Sequence, residues 1–392
     1  MVPSTAGAGM NDAQKSAHIR QVVLQAGVEL RQRHPWLKQQ DLIGGSVMAV
    51  SILGMIASGW LYAIGQIPWW VCVPVSALFA SFIHELEHDL IHTMYFRHSP
   101  HGWNLMMALC WITRPSTISP WVRKRIHLHH HKHSGTESDL EEFAVTNGER
   151  WGLKRLIMTG DHMLAIYLRP LSMHRVSRNY LRAQAKSREE FQALRRELVS
   201  GYFPLGLLHY ALWHGFVAYH VLALGAAALG QPLPLAAWSQ QASQWLGFGV
   251  DLPQLLALWT TVVVVWLAPN VLRVFSLHFI ATNMHYYGDV EDGNVMQQCQ
   301  VLNPWWLMPL QLFCFNFGAT HAIHHFAVKE PFYVRQWTAS TAHAVMREMG
   351  VRFNDIGTFR RANRWAKTDQ ANAQWAFAPS SARPGMAGPG AD

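Results

Sequence analysis

The chain has 392 residues, half of them hydrophobic, 14% charged and 12% aromatic, with 23 histidines and 4 cysteines. A soluble domain carries about a quarter of its residues as Asp, Glu, Lys or Arg, so this composition argues against one and for a chain partly dissolved in lipid. Cys72, Cys110, Cys299 and Cys314 form no CxxC pair, which argues against a disulfide scaffold, a zinc ribbon and an iron–sulfur site.

Residues 1–41 are polar and lack the apolar core of a signal peptide. Four segments are then long enough to cross about 30 Å of hydrocarbon at about 1.5 Å per residue: Leu42 to Ile64, Trp69 to Ile91, Tyr202 to Leu229 and Leu252 to Met284. They predict an all-α integral membrane protein with four transmembrane helices in two hairpins, 42–92 and 201–285. The turns inside the hairpins, Gly65 to Pro68 and Gly230 to Asp251, hold no Lys or Arg. The flanking regions hold 5 basic residues before Leu42, 17 from Arg97 to Arg196 and 9 after Met284, and Arg273 is the one cation inside a span. The positive-inside rule therefore places both termini and a helical cap, residues 93–200 and 286–367, in the cytosol; in a bacterium the membrane would be the inner one. Three shorter apolar stretches, Trp103 to Ile112, Ile157 to Leu168 and Trp305 to Phe317, fit the membrane interface or the core of the cap. The first ten residues and the tail, 368–392, are expected to be disordered. The net charge of +8 suits anionic headgroups and an acidic electron-transfer partner, and no nucleic acid is expected.

Three histidine clusters stand out. His84-Glu-Leu-Glu-His88 lies at the end of the second span, with His92 following one turn later as a neighbour. His127-Leu-His-His130-His131 and His321-Ala-Ile-His324-His325 each have the form HxxHH, whose i, i+3 and i+4 positions share a helix face. At this histidine content chance supplies about 0.08 such motifs per chain, so two of them beside an HxxxH point to metal. Imidazole suits iron, zinc, copper or nickel, and so many candidates imply two ions. His129 and His133 are left as solvated or supporting residues. His84 to His88 also reads as HExxH, the signature of a zinc hydrolase, but that leaves both HxxHH motifs unexplained.

These motifs, in order and in position relative to two hairpins, resemble those of the membrane-bound fatty acid desaturase and alkane hydroxylase superfamily. HELEH, HLHHH followed by KHSGTESDLE, HAIHH and the lone His285 of Asn283-Met-His285-Tyr-Tyr-Gly288 carry the resemblance. It implies a non-haem di-iron centre held by His84, His88, His127, His130, His131, His285, His321, His324 and His325, with His278 the alternative to His285. It implies O2 as co-substrate and oxidation of a fatty acid or fatty acyl lipid, by desaturation, hydroxylation or oxidative decarboxylation to a terminal alkene. The chain has no HPGG-type motif, so electrons would come from an external ferredoxin, rubredoxin or cytochrome-type reductase. Asp139 and Asp289 are the candidates for orienting the imidazoles through their Nδ1–H groups. Arg273, 12 residues before His285 and so about 18 Å along a helix, is a candidate anchor for the substrate headgroup, or else a structural donor to Asn270 or to carbonyls freed by Pro269.

Overall fold

The computed structural model describes residues 9–366, so the expected tail lies outside the described residues. Helix α1 (Asp12–Arg33) starts on a reciprocal cap: Asn11 Oδ1 accepts from Gln14 N while Gln14 Oε1 accepts from Asn11 N. Its last turn is held by Arg31, which forks onto both carboxylate oxygens of Glu330.

Among the described residues four helical segments are long and apolar enough to cross a membrane, and the regular structure is all helical. Helices α2 (Gln40–Ala63) and α3 (Trp69–Ile91) form the first hairpin. On α2 the buried Gly44, Ser51 and Ser58 recur every seven residues, interleaved with Met48 and Met55. On α3 the buried Ser76, Ala77, Ala80 and Ser81 answer them. Small side chains let two backbones approach closely, the packing that lipid-embedded helices rely on where the hydrophobic effect cannot drive association.

Beyond α3 the cap begins with α4 (Pro100–Thr113), α5 (Pro120–His133) and α6 (Leu140–Ala144). It continues through α7 (Leu153–Gly160), α8 (His162–Tyr167), α9 (Pro170–Gln184) and α10 (Arg188–Ser200). The third long helix is α11 (Leu205–Ala228), and the turn after it is not simply a turn. It contains α12 (Leu235–Leu246), whose end exposes Trp245 and Leu246. The reason is visible in LAAWSQQASQWL, where apolar residues recur at helical spacing between Pro234 and Gly247.

The fourth segment runs from α13 (Leu252–Val262) through a π-helical turn, Val263–Leu267, into α14 (Ala268–Met284). Pro269 explains the wider turn. Its nitrogen cannot donate to the Val265 carbonyl four residues back, and its ring would clash with that carbonyl in a regular helix.

After α14 come α15 (Val295–Gln298), α16 (Met308–Leu312), α17 (Phe317–Phe326) and α18 (Phe332–Glu348). One core ties them to the rest: Ile19 and Val23 of α1, Ile280 and Met284 of α14, Ile323 of α17 and Met346 of α18 are all buried in it. The three short apolar stretches are two-sided. Met107 and Cys110 are buried while Leu105 and Ile112 are exposed; Met158 and Ala165 are buried while Ile157 and Leu168 are exposed; Leu307 is buried while Trp305 is exposed.

Candidate metal centre

Three helices and one helix end carry the histidines. The α3 pair sits where the helix stops: His92 is its C-cap and Thr93 follows in the left-handed region. Helix α5 carries the second motif and is followed by Gly135 at φ +75°, whose missing Cβ lets the chain pass against the Tyr286 carbonyl. Gly288 N donates to Gly135 O at 2.7 Å, so this turn fixes the lone His285 relative to α5. His285 is the C-cap of α14 and pairs with Cys299 in an isolated antiparallel bridge. Helix α17 carries the third motif and is buried along its whole length.

These elements gather nine imidazoles into two groups: His88, His92, His127, His131 and His324 in one, and His130, His285, His321 and His325 in the other. In the first, His127 Nε2 lies 3.0 Å from His92 Nε2 and 3.1 Å from His131 Nε2. His324 Nε2 lies 3.1 Å from His92 Nε2 and 2.9 Å from His131 Nε2. In the second, His325 Nε2 lies 3.3 Å from both His285 Nε2 and His321 Nε2. Neighbouring ligands of an octahedral ion sit about 3.0 Å apart when the metal–nitrogen distance is about 2.1 Å, so these spacings are those of edges of a coordination shell. Both nitrogens of His88 are buried without a hydrogen-bond partner, as expected of a ring directed at an ion.

The outer nitrogens explain why Nε2 faces inward. Nδ1 of His127 pairs with Glu141 Oε2 at 2.8 Å and Nδ1 of His130 with Asp139 Oδ2 at 2.9 Å. Nδ1 of His285 pairs with the Ala281 carbonyl at 3.0 Å and Nδ1 of His325 with Gln298 Oε1 at 2.8 Å. Each acceptor keeps the proton on Nδ1 and leaves the Nε2 lone pair for metal. Burial pushes His92 down to about 2 and His285 down to about 4, and holds His127, His131, His321, His324 and His325 well below the ordinary value. Neutral imidazole is the form that binds metal. At His130 burial acts downward too, but Asp139, then Glu142 and Glu141, overcome it and raise the group to about 10.

Two expectations change. In the first motif the pair that joins the cluster is His88 and His92, not His84 and His88. His84 belongs to neither group. Its Nδ1 faces Arg114 Nη1 at 3.2 Å. A guanidinium only donates, so Nδ1 is the acceptor and the proton sits on Nε2, the tautomer that cannot offer Nε2 to an ion. Asp289 lies elsewhere as well, accepting from Trp365 N at 2.6 Å and Ala366 N at 2.8 Å to anchor the end of the described chain. Asp139 does meet an imidazole, and it also caps α6 through Glu142 N at 3.2 Å. Glu141 and Gln298 were missed. Glu141 stood in the acidic run after the second motif, while nothing in the sequence marks Gln298.

The remaining candidates are placed as follows. His129 meets Ser138 and Gln184, and His133 meets Asp292. His278 packs against His162 away from both groups. Glu85, the base of an HExxH reading, is buried against Arg335 at 3.3 Å. Arg273 is 1% exposed, and its Nε and Nη2 have no hydrogen-bond partner. Asn270 is not its acceptor: the Asn270 amide donates to Thr113 O and Trp266 O.

A cavity of about 750 Å³ opens onto the cluster. His88, His127, His130, His285 and His321 form part of its wall, Ile166, Met173, Leu181, Phe191 and Leu277 line its body, and His84 and Arg273 also border it. Imidazoles at metal-ligand spacing beside a largely apolar cavity suit oxidation of an aliphatic chain.

Residues 67–243 match the model of the fatty acid desaturase family. This stretch is similar to that family. The match covers α3 and the second motif and ends before His285 and the third motif, which the fold brings to the same place. No curated protein matches the chain. The family supports a desaturase-like oxidoreductase of the membrane.

Proposed function

We propose that this protein is an O2-dependent di-iron membrane oxidoreductase that acts on the aliphatic chain of a fatty acid or fatty acyl lipid, as a desaturase. The observation that carries the reading is the convergence of nine imidazoles into two ligand groups, five of whose members line a largely apolar cavity. His88, His92, His127, His131 and His324 would hold one iron, and His130, His285, His321 and His325 the other. Two irons would supply the activation of O2 that attack on an unactivated C–H bond requires. The chain's own residues orient and protect. Glu141, Asp139, Gln298 and the Ala281 carbonyl fix the ring tautomers, and the apolar wall keeps water from the bound chain.

Both termini and the cap would face the cytosol, where an external ferredoxin, rubredoxin or cytochrome-type reductase delivers electrons. The basic residues concentrated outside the hairpin turns favour an acidic donor on that face.

Elemental analysis of detergent-purified protein tests the centre, with about two irons per chain expected from this site count. One zinc per chain would overturn it. Product analysis after supply of O2 and a reductant then tests the reaction: an internal double bond is expected, whereas an alcohol, or an alkene one carbon shorter, would replace desaturation by hydroxylation or oxidative decarboxylation on the same centre.

A further inference from the structure

The cavity has cations at two places. On its open side His174, Arg178 and Arg195 are solvent-exposed, and water satisfies them. Its buried part is different, because there the donors have nothing to donate to. Arg273 is 1% exposed with Nε and Nη2 unpartnered, and His84 is 2% exposed with Nε2 unpartnered. The Arg114 contact at His84 Nδ1 puts the ring proton on that same Nε2. The groups that act on Arg273 most strongly include Arg123, Tyr210 and Cys314, with no carboxylate among these. Glu87, the carboxylate that meets Arg114, is engaged by Arg114 and Arg123. A buried guanidinium and a buried N–H left without an acceptor are costly, and both border the same cavity.

We propose that this buried part of the cavity receives the carboxylate of an unesterified long-chain fatty acid, held by Arg273 and by Nε2–H of His84. The inference rests on the oxidoreductase reading and names its substrate class. A carboxylate is acceptor-only and matches a guanidinium fork. It is also small. A carrier thioester has no free carboxylate at that position, and its bulky nucleotide or protein carrier would have to reach past the open side to the buried donors. The acid therefore binds head inward with its tail toward the open side, and His84 serves the substrate where its sequence neighbours serve metal.

The test is equilibrium binding to the detergent-purified full chain, with iron content measured on the same samples. The probes are hexadecanoate, hexadecanol, hexadecanoyl-CoA and, as the competing anion, a lysophosphatidate of the same chain length. Hexadecanoate is expected to bind about ten-fold or more tightly than each of the others, the scale of a charge-assisted hydrogen-bond pair. Arg273→Gln should erase the preference for acid over alcohol while hexadecanol binds as before, and Arg178→Gln with Arg195→Gln should keep it. Equal binding of acid and alcohol by the unaltered chain overturns the proposal even if the Arg273 variant fails to fold. Tighter binding of the CoA ester or the lysophosphatidate overturns it too, as does loss of the preference in the Arg178 and Arg195 variant alone. A chain that prefers the acid but holds no iron would keep this site and sink the oxidoreductase reading. A chain that holds iron without the preference would do the reverse.

Discussion

His84 and His92 stand one helical turn to either side of His88, and the groups opposite them decide what each can do. His92 faces the Nε2 atoms of His127 and His324, whereas His84 faces the guanidinium of Arg114. His92→Ala should therefore lower bound iron as severely as His324→Ala, while His84→Ala keeps the full iron content; elemental analysis of the three variants decides it. The same reasoning separates two aspartates. Asp139 accepts from His130 Nδ1, and losing such a partner typically costs 10–100-fold in metal affinity, so Asp139→Asn should weaken iron binding by about that factor. Asp289 holds backbone amides at Trp365 and Ala366. Asp289→Asn should leave iron affinity unchanged in a chelator competition, and an equal loss in both variants would contradict this assignment.

At the level of elements, each HxxHH divides by helix geometry. Residues i and i+4, His127 with His131 and His321 with His325, stay in one group, while the i+3 residue, His130 or His324, crosses to the other. The α3 pair, His88 and His92, obeys the same i, i+4 rule. Two ions can thus be bridged by two short helices without any loop ligand. What sets these helices against one another is backbone packing, and Gly135 is one of its tight points, with positive φ and no room for a Cβ beside the Tyr286 carbonyl. Gly135→Ala should destabilise the fold by about 1–3 kcal/mol, as overpacking at a strained position does. It should also lower iron content by shifting His285, whereas an alanine at the open Gly152 should do neither. Thermal unfolding and elemental analysis of the pair provide the check. Arg335 works on a larger interval, joining α18 to α3 through Glu85 and Asp89, and Asp89 also accepts from Phe332 N and Tyr95 Oη.

For the whole molecule, burying so many imidazoles couples stability to pH. Outside the spans, His92, His127, His131, His285, His321, His324 and His325 all refuse protons in the folded chain. The unfolded chain takes them up below about pH 6.5. The unfolded state then binds more protons, so stability is unaffected by these groups above about 6.5 and falls as pH drops from there through about 4, where His285 itself charges. His130, raised to about 10, acts in the opposite sense, but it is one group against seven. Metal requires the same neutral rings, so bound iron should decline over the same range. The thermal midpoint and the iron content, followed from pH 8 to pH 4, should fall together; a midpoint that rises on acidification would refute the coupling.

The sequence by itself determined the apolar spans and the histidine motifs. A helix in hydrocarbon needs about 20 apolar residues whatever it packs against, so Gln40–Ala63 and Trp69–Ile91 were legible within two residues. The HxxHH spacing likewise presents imidazoles on one face of any helix, and α5 and α17 do so. Only the tertiary structure decided the register of the first motif and the division of the histidines between two groups. His84 and His92 are equivalent by period, each four residues from His88. What tells them apart is Arg114 at the end of α4 and His324 on α17, contacts that cross 30 and 232 residues of chain. Local spacing fixes which side chains share a helix face. It cannot say what another helix will bring to meet them.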